Sequence, residues 1–245
     1  MKKKLCAAML ALLMVGSSAH SQNLVNETQE QKDKRMEWFY KAKLGIFIHW
    51  GVYAVKGVSE SWSFYNKYLP HDEYMKQCEG FTASKYDPKA WVELIKESGA
   101  QYTVLTTKHH DGVALWDTKQ NGISVVKNTP AKRDLVTPFV NEVRKAGLRL
   151  GLYYSLPDWS HPDYPNMTRT DVRYKDDPKR WDDFCKFNFG QLKELNTTYK
   201  PDLYWFDGDW EMSAETWRAK EIMELLRSTN KDVIVNSRIT GYGDY

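Results

Sequence analysis

The chain has 245 residues, 42% hydrophobic and 27% charged, a globular composition that excludes a disordered or collagen-like chain. The formal net charge is +3, but Lys2, Lys3 and Lys4 belong to a leader, and without it 32 basic residues face 32 acidic ones. A mature protein this close to neutral has no electrostatic footprint for nucleic acid or an anionic membrane.

Taken in order, the chain opens on three lysines, an apolar run from Leu5 to Val15, and small residues at Ser17-Ser18-Ala19 or Ala19-His20-Ser21. This pattern predicts a signal peptide over residues 1–21 and export to the periplasm or the cell exterior, or to the lysosome in a eukaryote. The run is too short to cross a bilayer, so no membrane span is expected. Cys6 lies at the start of that run and not at the cleavage site, which argues against a lipid anchor. Cys78 and Cys185 remain after cleavage; two cysteines make no disulfide scaffold, and their pairing stays open. Sequons occur at Asn26, Asn166 and Asn196.

Residues 22–33 read as a polar N-terminal segment, loose from Asn23 to Gln31, and patterned sequence, the expected catalytic domain, runs from 34 to 245. Gly45 to Gly51 reads as a first strand. The Tyr- and Trp-rich stretch Val52 to Tyr86 is too long for an ordinary connection and is a candidate binding loop. Asp87-Pro88 opens a helix closed by Gly99. A second strand, Tyr102 to Thr107, runs into Lys108-His109-His110-Asp111-Gly112. Asp134 is the predicted N-cap of a helix from Leu135 to Ala146, stopped by Gly147. A third strand, Leu148 to Tyr154, ends in Ser155 and is followed by a long loop to Pro178. A helix from Trp181 to Leu195 leads to the apolar run Leu203 to Phe206, which ends in Asp207-Gly208. A helix from about Ala214 to Leu226 and a strand Val233 to Val235 lead to Asn236-Ser237-Arg238.

Strands alternating with amphipathic helices predict a parallel α/β sheet. No Gly-x-Gly-x-x-Gly and no phosphate loop follows a strand, which disfavours a dinucleotide fold and favours a (β/α)8 TIM-like barrel. Only five strand–helix units are visible, so the expectation is an incomplete barrel, the N-terminal part of a longer catalytic domain.

Each apolar strand body closes on a residue that can donate, accept or carry charge: His49, His109 with His110, Tyr154, Asp207 and Arg238. In parallel barrels the C-terminal strand ends carry the chemistry, so five such endings in series predict one shared pocket. Three histidines and an aspartate raise a metal site as the rival reading. Adjacent residues of a strand face opposite ways, however, so His109 and His110 suit hydroxyl recognition better than ligation of one ion. No Ser or Cys sits in a nucleophile elbow, which leaves Asp207 as the natural nucleophile. The 14% aromatic share fits a ring-lined carbohydrate site and an aromatic core equally well.

Gly45-Ile46-Phe47-Ile48-His49-Trp50-Gly51, Lys108-His109-His110-Asp111-Gly112, Tyr153-Tyr154-Ser155 and Trp205-Phe206-Asp207-Gly208 together resemble the α-L-fucosidases of glycoside hydrolase family 29. The resemblance runs from about Lys34 to the end. It implies a retaining, exo-acting fucosidase with Asp207 as nucleophile and His49, His109, His110, Tyr154 and Arg238 holding the fucose hydroxyls and ring. Trp62, in Glu60-Ser61-Trp62, is similar to a loop position that touches the sugar. The implied substrate is a fucosylated oligosaccharide or glycoconjugate, with no cofactor and no metal. A retaining mechanism needs a second carboxyl about 5–5.5 Å from the nucleophile, and the resemblance implies that it lies beyond Tyr245. Glu60, Asp209 and Glu211 are read as solvated loop and rim carboxylates. The alternative is a fucose-binding module or inactive homologue that keeps the hydroxyl-binding residues without an acid/base.

Overall fold

A computed structural model describes residues 27–245 of the chain. The predicted signal peptide and the sequon at Asn26 lie outside the described residues. The core is a five-stranded sheet: β1 (Gly45–Ile48), β2 (Tyr102–Lys108), β3 (Arg149–Ser155), β4 (Leu203–Asp207) and β5 (Ile234–Val235). All neighbours are parallel and the spatial order is the chain order, β1-β2-β3-β4-β5. A doubly wound sheet reverses direction at a switch point, whereas an unbroken sequential order is the arc of a (β/α)8 barrel. Among the described residues β1 and β5 are not paired with each other, so the arc is open.

Helices Pro88–Glu97, Val136–Lys145, Pro178–Tyr199 and Ala219–Thr229 return the chain between strands. Asp87 accepts from the Ala90 amide at 3.0 Å and Asp177 from the Arg180 amide at 3.1 Å, each ahead of a proline in the first turn. The helix predicted from Trp181 therefore starts three residues earlier, at a second Asp-Pro pair. Asp134 lies one residue outside the cap position, yet one of its oxygens accepts from the Val136 and Thr137 amides, both at 2.8 Å, and meets the same need.

One expectation fails at the N-terminal end. Residues 29–31 are not loose but begin the helix Gln29–Ala42, whose start is closed by a capping box in which Thr28 and Gln31 satisfy each other's backbone amides. This helix is anchored by Arg35, which is buried and pairs with both Glu27 and Asp244 at 2.8 Å. Its Met36, with Trp38 and Phe39, packs onto the inner face of the sheet against Val104, Tyr153, Leu203 and Ile234. The outer face, with Leu105, Leu152, Tyr154, Tyr204 and Phe206, packs under the returning helices in the larger core. Cys78 and Cys185 are buried, unpaired thiols.

Candidate active site

Strand parity decides which side chains meet. Asp207 pairs in register with Ser155, and Trp205 with Tyr153, so Tyr153 shares the inner face with Asp207. Its hydroxyl donates to Asp207 Oδ2 at 2.8 Å. Tyr154 points the other way. It is buried beneath the helices, donates to Asn188 and receives Lys108 Nζ at 3.1 Å. The inward-facing tyrosine of β3 is thus Tyr153 and not the predicted Tyr154, since side chains alternate faces and only odd positions of this strand look inward.

β2 explains how two adjacent histidines reach one pocket. A register shift between Thr106 and Lys108 leaves Thr107 as an extra residue, and the strand ends at Lys108. Lys108 turns outward into the core, while His109 and His110 lie past the ladder, free of its alternation. Their rings sit 4.3 Å apart, with His49 5.0 Å from His109. Tyr153 stacks on His109 at 5.6 Å.

Asp207 is held from two sides. Besides Tyr153, Arg238 Nη1 donates to Oδ1, so each carboxylate oxygen accepts a hydrogen bond. Arg238 is positioned by ties on both flanks. The Asn236 amide pairs with the Phe206 backbone at 2.9 and 3.0 Å, and the Thr240 hydroxyl donates to Asp209 at 2.6 Å. After Asp207 the chain turns sharply through Gly208 at φ +86°, where a Cβ would overlap the Pro157 ring.

The three imidazoles are held neutral. Burial lowers the pKa of His49 and takes that of His109 well below the ordinary value. His110 falls to about 3, first through burial and then through the positive charge of Lys108. The tautomer of His110 follows from its neighbour. The Ser155 hydroxyl donates to Pro157 O at 2.5 Å, so it must accept from His110 Nδ1, also at 2.5 Å. Nε2 therefore carries a lone pair, is buried without a hydrogen-bond partner, and lies 3.5 Å from Asp207 Oδ2. An acceptor in that position calls for a donor such as a sugar hydroxyl. Tyr153 stays protonated, its pKa driven far up by burial and by the Asp207 charge.

The Alpha-L-fucosidase family profile matches residues 11–244. The chain belongs to the α-L-fucosidase family. It is 34% identical to an α-L-fucosidase of Branchiostoma floridae over 96% of this chain and 56% of that protein. Isoenzyme 1 from Paenibacillus thiaminolyticus superimposes with a TM-score of 0.79 at 37% identity, over 85% of this chain and 51% of that one. A Bacteroides thetaiotaomicron family 29 fucosidase, solved as a trapped covalent intermediate with 2-fluoro-fucosyl fluoride, gives 0.75 at 35%, over 87% and 50%. The chain spans about half the length of the curated relatives it matches.

Of the fucosidase site residues predicted from sequence, His49, His109, His110, Asp207 and Arg238 converge. Trp62 joins them, its ring edge-on to His110 at 5.7 Å and to Trp159 at 5.1 Å. Tyr154 does not join them. Two acids depart from the solvated reading. Glu60 comes within 4.8 Å, ligand atom to ligand atom, of both His49 and His109. Glu211 accepts from Trp159 Nε1, the Tyr164 hydroxyl and Asn166 Nδ2 at 2.8, 2.6 and 2.9 Å, pinning the long loop after β3. Glu60 has no strand signal, because it sits in an irregular loop, and the inward face of Tyr153 follows only from the register of β3 against β4. Among the described residues, His49–Glu60–His109 and His109–His110–Asp207 are the triads that could hold a metal ion.

Proposed function

We propose that this chain carries the nucleophile and the hydroxyl-binding wall of an exo-acting, retaining α-L-fucosidase. Its substrate is terminal α-L-fucose on an oligosaccharide or glycoconjugate. The observation that carries the reading is Asp207 itself: a strand-end carboxylate accepting from Tyr153 and Arg238 beneath a ring of neutral imidazoles. Asp207 attacks the anomeric carbon as the bond to the aglycone oxygen breaks, forming a glycosyl ester that water then cleaves. A second carboxyl protonates the departing oxygen and later deprotonates the water; that role is not assigned to a residue of this chain.

The neutral imidazoles serve as hydrogen-bond partners for hydroxyls, His110 Nε2 as an acceptor and the others according to tautomer. Tyr153 and Arg238 keep the carboxylate aimed. The covalent intermediate trapped in the Bacteroides relative supports the ester step proposed here. Export through a leader at residues 1–21 completes the proposal, and the N-terminal sequence of the secreted protein tests it.

The decisive experiment is hydrolysis of an aryl α-L-fucoside by the full-length protein and by its Asp207→Ala variant. A loss of about 10³-fold or more in kcat is expected for removal of a nucleophile. A 2-fluoro-fucosyl fluoride adduct should map to the peptide holding Asp207. Full activity in the variant overturns the assignment, and fucose binding without turnover by the wild type favours a binding module.

A further inference from the structure

Trp210 lies three residues beyond Asp207 and is 52% exposed. It is not left in solvent by a loose loop, because both neighbours are tied down. Asp209 accepts from the Thr240 amide at 3.2 Å and from its hydroxyl at 2.6 Å, and its carbonyl accepts from Trp217 Nε1 at 2.9 Å. Glu211 takes the three donors of the loop after β3. The indole plane is also set. Trp62 lies nearly parallel, 16° and 6.4 Å away, His110 meets it edge-on at 6.2 Å, and the Arg238 guanidinium is 5.2 Å from the ring centre. A large apolar ring fixed at the lip of a polar pocket sheds water only when something covers it.

We propose that Trp210 forms a subsite for the sugar unit attached to fucose, bordering the fucose pocket at Trp62, His110 and Arg238. The inference rests on the fucosidase reading above. Asp207 lies at the strand end, on the floor of the site. In-line displacement sends the leaving oxygen away from the attacking carboxylate, hence outward toward the lip where Trp210 stands. A pyranose presents a face of C–H groups that packs on an indole while its hydroxyls stay hydrated at the rim. Arg238, which lies over the Trp210 ring, already has its charge paired with Asp207, which disfavours an anionic aglycone there. The occupant is therefore a neutral pyranose joined to fucose through the glycosidic oxygen.

The test compares two substrates of the full-length protein: α-L-fucosyl fluoride, whose leaving group has no sugar, and a neutral fucosyl disaccharide. For Trp210→Ala, kcat/KM on the disaccharide should fall about 10–100-fold, chiefly through KM, while the fluoride changes by less than about 2-fold. Trp210→Phe should recover most of the loss. It also carries the test if the alanine variant fails to fold, showing a smaller loss confined to the disaccharide. Equal losses on both substrates would mean that Trp210 acts only through Arg238 and Asp207, and no loss on the disaccharide would mean that no sugar stacks there; either result overturns the subsite. A wild-type protein that leaves the fluoride intact refutes the fucosidase reading instead, and the subsite with it.

Discussion

Tyr153 and Tyr154 are neighbours with unrelated jobs, and the difference is one of parity. Tyr153 lends a donor to Asp207, whereas Tyr154 joins a buried polar group with Lys108, Asn188 and Gln191 behind the sheet. Two substitutions separate these roles. Tyr153→Phe removes one of two donors on the carboxylate; kcat should fall about 10–100-fold with stability close to wild type. Tyr154→Phe removes the hydroxyl that Lys108, Asn188 and Gln191 share in the buried core and should cost about 1–3 kcal/mol of unfolding free energy. Its kcat should stay within about 3-fold, because nothing at the mouth is touched. Steady-state kinetics alongside denaturant unfolding read both, and a reversed pattern would put Tyr154 at the sugar after all. Lys108 belongs to the same buried group. It is wholly enclosed, its ammonium 3.7 Å from Asp158 and its pKa lowered by burial to about 8.

At the scale of elements, strands deliver the chemistry and loops frame it. The shift in β2 puts His109 and His110 beyond the ladder, and the Gly208 turn throws the chain back across the lip. The loop from Leu156 to the helix Pro178–Tyr199 is held by Glu211, which gathers a tryptophan, a tyrosine and an asparagine onto one carboxylate. Glu211→Ala should leave those donors without their acceptor and release the loop. Amide hydrogen exchange over residues 159–173 should then speed up by an order of magnitude or more. Unchanged protection there would show that the backbone bonds of the loop suffice alone. The same contact bears on the sequons. Asn166 donates to Glu211, and Asn196 is buried with Nδ2 on the Leu226 carbonyl at 3.0 Å, so both sequon amides are engaged within this fold.

For the whole molecule, the neutral histidines make acid the weak flank. His110 has a folded pKa near 3, below its ordinary 6.5, and His49 and His109 are lowered too. As pH falls below about 6.5 the unfolded chain takes up protons that the folded chain refuses, so stability drops. Each such group contributes at most about 1.4 kcal/mol per pH unit. Asp111 works against them. Its carboxyl is raised by burial to about 6, so between 3.8 and 6 the folded state binds the extra proton. Because five lowered histidines, His71 and His161 among them, oppose one aspartate, the melting temperature should decline from pH 6.5 to pH 4. His110→Asn, which cannot titrate, should flatten that slope. Thermal melts across the range check it; a flat wild-type curve would mean that the imidazoles are not held neutral by burial.

Much of this was legible in one dimension, because it depends on local chemistry. Apolar runs ending in His49, His109-His110 and Asp207 announce parallel strands with functional ends, and Asp87-Pro88 announces a helix start. The same signal at Asp177-Pro178 and the capping box at Thr28 were equally readable, and polar composition masked them. Tertiary structure alone decided which faces look inward and which distant groups meet. Tyr153 was chosen over Tyr154 by pairing register with β4, Glu60 entered the site on an irregular loop, and Glu211 left the rim to bind three donors. These outcomes turn on strand pairing and loop closure between residues far apart in sequence, and no local periodicity encodes them.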